Sequence, residues 1–232
     1  ELGAEVIELP SIDLVPCEQN EPLQAALEDI VSYQWVAFTS AMGVRFFFDF
    51  LQKNRVDVRR LSHLRFAVIG QGTRDELAKH GIFADLMPSS YYAKDLAQAL
   101  CQTMQKGQRV LLPRARIGSK DLTDILTQNG IEFTDVALYD TIYQSHNTHA
   151  VEKLIDDGQV SCAVFTSAST VRGFAATMQG KDLTLLTAAC IGEKTAQAAK
   201  EYNMKVMIAK EATIDSVTQM LVEHADELRL NR

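Results

Sequence analysis

The sequence predicts an α/β protein of two doubly wound, parallel-sheet domains that are related by internal duplication and joined by a two-stranded linker. Three pairs of similar segments support this prediction. FTSAMGVRFF (38–47) matches FTSASTVRGF (165–174) at seven of ten positions, 127 residues apart. The other two pairs are FAVIGQGTRDELAKHG with AACIGEKTAQAAKEYN, and NGIEFTDVALY with LGAEVIELPSI. Strands that alternate with helices in this way are typical of parallel sheets.

The first pair of segments is predicted to run from a short buried strand into an amphipathic helix. Residues 36–38 and 163–165 are the strands, and Thr-Ser follows each of them as favourable N-cap chemistry. Apolar residues then recur at i, i+3, i+4 and i+7, the spacing of one helix face. We assign both stripes to the core. They comprise Val44, Phe47, Phe48 and Leu51 in the first copy, and Val171, Phe174, Ala175 and Met178 in the second.

The second and third pairs complete each repeat. The second has Ile-Gly-x-x-Thr at a strand-to-helix turn, and Gly81 and Asn203 tolerate the left-handed conformation expected at the helix end. In the third pair the later copy follows a strand at 109–113 and a helix from about 119 to 128, whereas the earlier copy, at 2–12, starts the chain.

These offsets predict a discontinuous domain organisation. Residues 1–12 and 144–232 are expected to form one α/β domain, because the second half otherwise lacks a piece matching 129–139. Residues 15–137 form the inserted domain, and 13–14 and 138–143 are the linkers. Both linkers look extended, so we expect them to pair as a ladder with hinge potential.

Composition limits the classes of function. A net charge of −7 over 232 residues argues against a nucleic-acid partner, which requires a basic face. An anionic ligand would be held locally, by backbone N–H groups and a few arginines. Without an apolar run near the ~20 residues of a membrane span and without a signal segment, we expect a cytoplasmic protein with no membrane partner. The scattered cysteines suit reduced structural thiols. They are Cys17, Cys101, Cys162 and Cys190.

Small hydroxyl residues stand at four strand-to-helix junctions. They include Ser40, Thr73, Ser167, Ser169 and Thr195. Ligands of parallel α/β sheets gather at the carboxyl ends of strands, where helix N-termini attract carboxylates and phosphates. Capping alone explains any single junction better. Four junctions in matched pairs favour a ligand held between the domains.

Two further motifs have competing interpretations. PRARIGSKD places Arg114 and Arg116 at a strand end, either as salt-bridged surface residues or as a bidentate grip on a carboxylate. Arg45 and Arg172 occupy matched helix positions and are interpreted as structural. GQGTRDE is not a dinucleotide site, because Asp75 stands where G-x-G-x-x-G requires its third glycine.

No metal site and no nucleophile–base pair are predicted. His146 and His149 lie three residues apart, but no Cys, Asp or Glu completes a ligand set, and we interpret both as solvated loop residues. No histidine falls in a repeated motif, and there is no G-x-S-x-G elbow. An enzyme with this sequence would rely on positioning and weak acid assistance.

The chain resembles the uroporphyrinogen-III synthase family over nearly its whole length. The resemblance rests on VAFTSAMGVRFF, FAVIGQGT, VLLPRARIG, ALYDTIY, VFTSAS and AACIGEKTAQAAKE, in that order. The family's first strand, which ends near Thr-Arg-Pro, and the helix after it do not appear in this sequence. One side of the expected cleft is therefore undescribed.

The resemblance implies a cofactor-independent lyase of tetrapyrrole synthesis. Such an enzyme takes linear hydroxymethylbilane, removes the hydroxyl group, inverts ring D through a spiro intermediate and closes the macrocycle. The bilane carries eight carboxylates, and its own pyrrole electrons can expel hydroxide, so the protein mainly folds the chain and suppresses direct closure. We also expect a monomer that contacts the upstream deaminase transiently. The alternatives are a non-catalytic two-domain ligand-binding module and a paralogue that binds tetrapyrroles without turnover.

The resemblance also implies roles for single residues. Tyr139 matches the tyrosine of the family's returning linker and is the expected acid; the alternative is a half-buried strand tyrosine. Alternation along a strand would place Tyr139, Thr141 and Tyr143 on one face. The expected substrate-binding residues are Ser40, Thr73, Arg114, Ser167, Ser169 and Thr195.

Overall fold

A computed structural model describes residues 3–143 and 148–229 of the chain, with the backbone alone at 229. The chain separates into two compact units. One spans Leu14–Asp140, and the other combines Glu1–Asp13 with Thr141–Arg232. Both units alternate strands with helices around a parallel sheet, so the predicted α/β class is confirmed.

The Leu14–Asp140 unit is built on a five-stranded sheet. The strands are β1 (Ile12–Pro16), β2 (Trp35–Phe38), β3 (Arg65–Val68), β4 (Arg109–Ala115) and β5 (Glu132–Tyr143). Their order is β1-β5-β4-β2-β3, and β2 pairs in parallel with both β3 and β4, as β4 does with β5. The neighbours β1 and β5 continue across the unit boundary, as predicted for the paired linker.

Helices cover both faces of this sheet. They are α1 (Glu21–Glu28), α2 (Ala41–Lys53), α3 (Gln71–Ala78), α4 (Ala93–Thr103) and α5 (Asp121–Gln128), with short 3-10 helices at Ile30–Ser32 and Val58–Leu61. Because side chains alternate along a strand, Val36 and Phe38 join the core under α1, α2 and α3. Trp35 and Ala37 join a second core under α4 and α5. The unit is therefore doubly wound.

The other unit repeats this arrangement on a smaller scale. Its elements are α6 (His149–Asp156), β6 (Ala163–Phe165), α7 (Ala168–Thr177), β7 (Thr187–Cys190), α8 (Glu193–Glu201), β8 (Lys205–Ile208), α9 (Ile214–Glu223) and α10 (Ala225–Arg229). The three strands pair in parallel in the order β6-β7-β8. Ala188 packs with α7 and α8, whereas the next residue, Ala189, packs with α9 on the opposite face.

Two segments depart from regular buried strands. Residues 3–11 form no strand, and Val6 and Ile7 are 79% and 51% exposed. The segment gains a core contact only towards its end, where Leu9 packs on the core and Ser11 is buried. The strand expected to be buried at 163–165 is buried only in part, since in β6 Phe165 is 4% exposed whereas Val164, which points to the opposite face, is 48% exposed.

Residues that are equivalent at the 127-residue offset also make equivalent contacts in the two units. In the first unit the rings of Phe46 and Tyr139 stack with centroids 4.8 Å apart. Their equivalents are Gly173 and Ile12, and a side-chain carbon placed on Gly173 would lie 2.5 Å from Ile12 Cγ2. The end of the N-terminal segment therefore packs on α7 as the end of β5 packs on α2.

The local expectations are confirmed. Both apolar helix stripes are buried, and Gly81 and Asn203 have φ of 74° and 58° at their helix ends. The helix expected from about residue 119 begins at Asp121. All four cysteines are free thiols. Within the described ranges, no helix combines the length and apolarity needed to cross a membrane.

Candidate active site

The candidate site lies at the carboxyl edge of the five-stranded sheet. Since β2, β3, β4 and β5 are parallel, their carboxyl ends meet at the same edge, where ligands of such sheets bind. Ser40 lies two residues after the end of β2, and Thr73 lies in the first turn of the helix after β3. Tyr139 lies near the end of β5, opposite the last residue of β4. This edge therefore collects these three predicted site residues, and Arg114, next to the last residue of β4, is a fourth.

Ser40 is the N-cap of α2 and contacts Tyr139. Its Oγ accepts a hydrogen bond of 2.9 Å from the backbone N–H of Gly43 and lies 3.0 Å from the Tyr139 hydroxyl oxygen. A hydroxyl oxygen accepts up to two hydrogen bonds and donates one. With Gly43 donating to it, Ser40 can donate its own proton to the Tyr139 oxygen, and the phenol proton then stays available to a ligand.

Tyr139 is held in a mostly apolar setting. Its side chain stacks on Phe46, and the residue is 6% exposed. Burial raises the pKa of Tyr139 above its usual value of 10, and the hydrogen bond from Ser40 opposes that rise. The phenol is therefore protonated at neutral pH and can act as a proton donor.

A β-bulge sets the direction of Tyr139. Arg114 pairs with Ala137, but the next residue, Ala115, pairs with Tyr139, so Leu138 is an extra residue in β5. A bulge reorients the side chains that follow it. Leu138 and Tyr139 accordingly share one core under α2, although strict alternation would send neighbours to opposite faces. The alternation of side chains along a regular strand does not predict this bulge.

Thr73 is buried, but it is not joined to the Tyr139–Ser40 pair. The residue is 5% exposed, and its backbone N–H donates to the Gly70 carbonyl in the first turn of α3. Tyr91, which the sequence did not single out, packs so closely on Gly70 that a side-chain carbon there would lie 2.7 Å from its ring. This part of the edge therefore carries a second aromatic side chain.

The two arginines at the end of β4 have different surroundings. Arg114 is 7% exposed, and its Nε and Nη2 donate to the Asp135 carboxylate at 2.8 and 2.6 Å. Its Nη1 donates to the Ser119 carbonyl at 2.7 Å. Arg116 is exposed and pairs with Asp140 at 2.7 Å. The contacts of Arg114 thus favour an intramolecular ion pair over a contact with a ligand.

The predicted residues of the other unit also lie at the carboxyl edge of their sheet. Ser167 caps α7, and its Oγ accepts from the Thr170 backbone N–H at 3.1 Å, while Thr170 Oγ1 accepts from the Ser167 N–H at 3.2 Å. Ser169 lies in the first turn of α7, half-buried. Thr195 is 4% exposed in the first turn of α8. Ile12 stands at the position equivalent to Tyr139, so this unit has no phenol there.

The remaining polar candidates are structural in their contacts. Arg45 forms a two-bond ion pair with Glu76 at 2.8 and 3.0 Å, and Arg172 pairs with Glu201 at 3.5 Å. His149 is not a loop residue but begins α6, although its side chain is fully exposed as expected. His146 lies outside the described residues. Among residues 3–143 and 148–229, no three His, Cys, Asp or Glu side chains are grouped so that they could hold a metal ion.

Comparison with known proteins gives a consistent result. A family model described as uroporphyrinogen-III synthase HemD matches residues 1–219. The porphyrin biosynthesis protein HemD of Ruminiclostridium josui is 40% identical over 223 residues, which cover 96% of this chain and 44% of that protein. This chain thus spans less than half the length of that relative. The uroporphyrinogen-III synthase of Synechococcus elongatus is 30% identical over 227 residues, covering 93% of this chain and 84% of that protein.

Solved structures share the fold. The uroporphyrinogen-III synthetase of Helicobacter pylori superposes with a TM-score of 0.67 at 18% identity, covering 96% of both chains. A mutant uroporphyrinogen III synthase of Thermus thermophilus gives a TM-score of 0.66 at 14% identity, covering 96% of this chain and 88% of that one. The family model, the relatives and the fold agree, and the chain belongs to the uroporphyrinogen-III synthase family.

Proposed function

We propose that the chain cyclises hydroxymethylbilane to uroporphyrinogen III, with loss of water and inversion of ring D. Within a chain of this family, one observation carries the proposal. A buried, protonated phenol, Tyr139, lies at the carboxyl edge of a parallel sheet and is hydrogen-bonded to the helix-capping hydroxyl of Ser40. This arrangement supplies the weak acid that expulsion of a hydroxyl group requires.

The chemistry follows from the contacts of Tyr139. The pyrrole electrons expel the hydroxyl group, and the phenol proton converts it to water. The phenolate that forms is stabilised by the hydrogen bond from Ser40, whose oxygen also accepts from Gly43 at the N-terminus of α2. Ring closure releases one proton from the terminal pyrrole, which restores the phenol. Loss of hydroxide and of one proton accounts for the water.

Replacing Tyr139 with phenylalanine tests the proposal. Tyr139→Phe keeps the ring that stacks on Phe46 and removes the proton. Turnover of hydroxymethylbilane should fall by about tenfold to a thousandfold, the range for losing an acid or a transition-state hydrogen bond. The measurement is a coupled assay from porphobilinogen through its deaminase, with the type I and type III isomers separated by chromatography.

Tyr33 provides a matched control. It is also buried, and its hydroxyl is hydrogen-bonded to Thr134 Oγ1 at 2.8 Å, but it precedes β2 at the opposite edge of the sheet. Tyr33→Phe should cost similar stability and leave turnover unchanged. If wild-type protein yields only the type I isomer of spontaneous closure, the enzymatic proposal is wrong. If Tyr139→Phe loses activity no more than Tyr33→Phe, Tyr139 is structural.

Several finer assignments belong to the proposal. Contacts of Ser40, Thr73, Ser167, Ser169 and Thr195 with the substrate stay predictions. The same holds for a cytoplasmic monomer in transient contact with the upstream deaminase. Binding of a tetrapyrrole without turnover is the alternative, and the same assay decides it, because such a protein would leave the product ratio unchanged.

A further inference from the structure

We propose that Arg116 binds a carboxylate of the substrate beside Tyr139 and that Asp140 positions its guanidinium for this task. The inference rests on the proposed function, because it assigns a contact to the polycarboxylate substrate of that reaction. It also moves the expected carboxylate contact from Arg114 to Arg116. Arg116, Asp140, Tyr139 and Ser40 all belong to the Leu14–Asp140 unit.

Arg116 is hydrogen-bonded to the main chain of Tyr139. Its backbone N–H donates to the Tyr139 carbonyl at 3.0 Å, directly after the bulge that pairs Ala115 with Tyr139. The side chain therefore starts from the same carboxyl edge as Tyr139 and Ser40. A carboxylate held by Arg116 would belong to a ligand that also reaches this edge.

Arg114, two residues earlier, is committed to the fold. Each of its three nitrogens donates to Asp135 or to the Ser119 carbonyl. The turn after β4 closes over it, since a side-chain carbon on Gly118 would lie 2.7 Å from Arg114 Nη1. Its side chain is 8% exposed, so a ligand carboxylate has no donor of Arg114 to approach.

Arg116 keeps donors for a ligand. Its side chain is 58% exposed, and its Nε donates to Asp140 Oδ1 at 2.7 Å. Its Nη2 contacts Cys17 Sγ at 3.2 Å, and a thiol is a weak acceptor. For Nη1, no acceptor occurs within the part of the chain that the structure describes. The Nη1–Nη2 edge is therefore open to a carboxylate in bidentate geometry.

The hydrogen bond from Arg116 to Asp140 explains why the Nη1–Nη2 edge of the guanidinium stays available to a ligand. Asp140 binds Nε and holds the guanidinium from that side, so this hydrogen bond uses neither terminal nitrogen. An arginine that is already oriented loses less conformational entropy when it binds. With a net charge of −7, the chain needs such local cations to hold a substrate that carries many carboxylates.

The test separates substrate affinity from turnover. Arg116→Gln removes the charge and leaves a shorter, polar side chain. It should raise the KM for purified hydroxymethylbilane about tenfold, the loss expected for one charge-assisted hydrogen bond. The kcat should stay within about twofold, because Tyr139 is intact. Arg116→Lys keeps the charge without the planar fork, so its KM should lie between those of wild type and Arg116→Gln. The KM of wild type should rise more steeply with salt than that of Arg116→Gln.

Arg59 is the matched control. It is also an exposed arginine paired with an aspartate, Asp57, but it precedes β3 near the opposite edge of the sheet. Arg59→Gln should change neither KM nor kcat. A wild-type KM in Arg116→Gln, or a fall in its kcat at unchanged KM, overturns the inference. If Arg116→Gln does not fold, Arg116→Lys decides by the same KM. Wild-type protein that makes no type III isomer defeats the proposed function instead.

Discussion

Gly173 tests whether the end of the N-terminal segment packs on α7. A side-chain carbon at this position would lie 2.5 Å from the Ser11 carbonyl oxygen and 2.5 Å from Ile12 Cγ2. The first of these atoms belongs to the backbone and cannot rotate away. Gly173→Ala therefore forces the segment at 11–12 away from the helix, or shifts the helix itself.

Two opposing terms set the magnitude. Replacing glycine by alanine inside a helix ordinarily stabilises by about 0.5–1 kcal/mol. Overpacking a tight contact costs about 1–3 kcal/mol. Because the obstruction here is a main-chain carbonyl, the cost should exceed the gain, and the free energy of unfolding should fall by about 1–2 kcal/mol.

Urea unfolding of Gly173→Ala beside Gly72→Ala measures this difference. Gly72 lies in α3 with no atom within 4 Å of an added side-chain carbon, so Gly72→Ala should show only the helix gain, up to about 1 kcal/mol. Limited proteolysis should cut the segment before β1 faster in Gly173→Ala than in wild type. If Gly173→Ala is as stabilising as Gly72→Ala, residues 11 and 12 do not pack on α7, and the equivalence of Ile12 with Tyr139 is wrong.

Two ion pairs give further predictions. Arg45 and Lys79 hold the pKa of Glu76 down to about 2 from its ordinary 4.5, so their stabilisation is complete above pH 4.5 and is lost as the pH falls towards 2. Glu76→Gln should thus cost about 1–2 kcal/mol at pH 7, and its difference from wild type in urea unfolding should shrink in acid; a difference independent of pH would contradict this origin. Arg114→Met should cost about 1–3 kcal/mol, because Asp135 loses its partner. A raised KM without lost stability would instead show that Arg114 binds substrate.

Local features of the fold were predictable from the sequence. The buried stripes of α2 and α7 follow from a spacing of three and four residues, which is a property of the helix itself. The caps at Ser40 and Ser167 and the left-handed residues at helix ends depend on neighbours within a few positions. The duplication, visible as repeated motifs, extended these local assignments to a pair of α/β units.

Burial of the N-terminal segment was less predictable. It resembles residues 129–139, most of which lie in β5, yet only its end meets a core. An apolar residue such as Val6 becomes buried only where a surface is present to cover it. Sequence similarity between repeats does not supply that surface.

The sequence by itself determined the α/β class, the core faces of the helices and the choice of Tyr139 and Ser40 as candidates. Tertiary structure decided their partnership, since the two residues are 99 positions apart and meet through the pairing of β5 with β4 beside β2. The bulge at Leu138 and the different environments of Arg114 and Arg116 also came from the fold alone. Arg114 and Arg116 are the same residue type only two positions apart, so the local sequence does not distinguish them. Their carboxylate partners and their solvent exposure depend on strands that come together only when the chain folds.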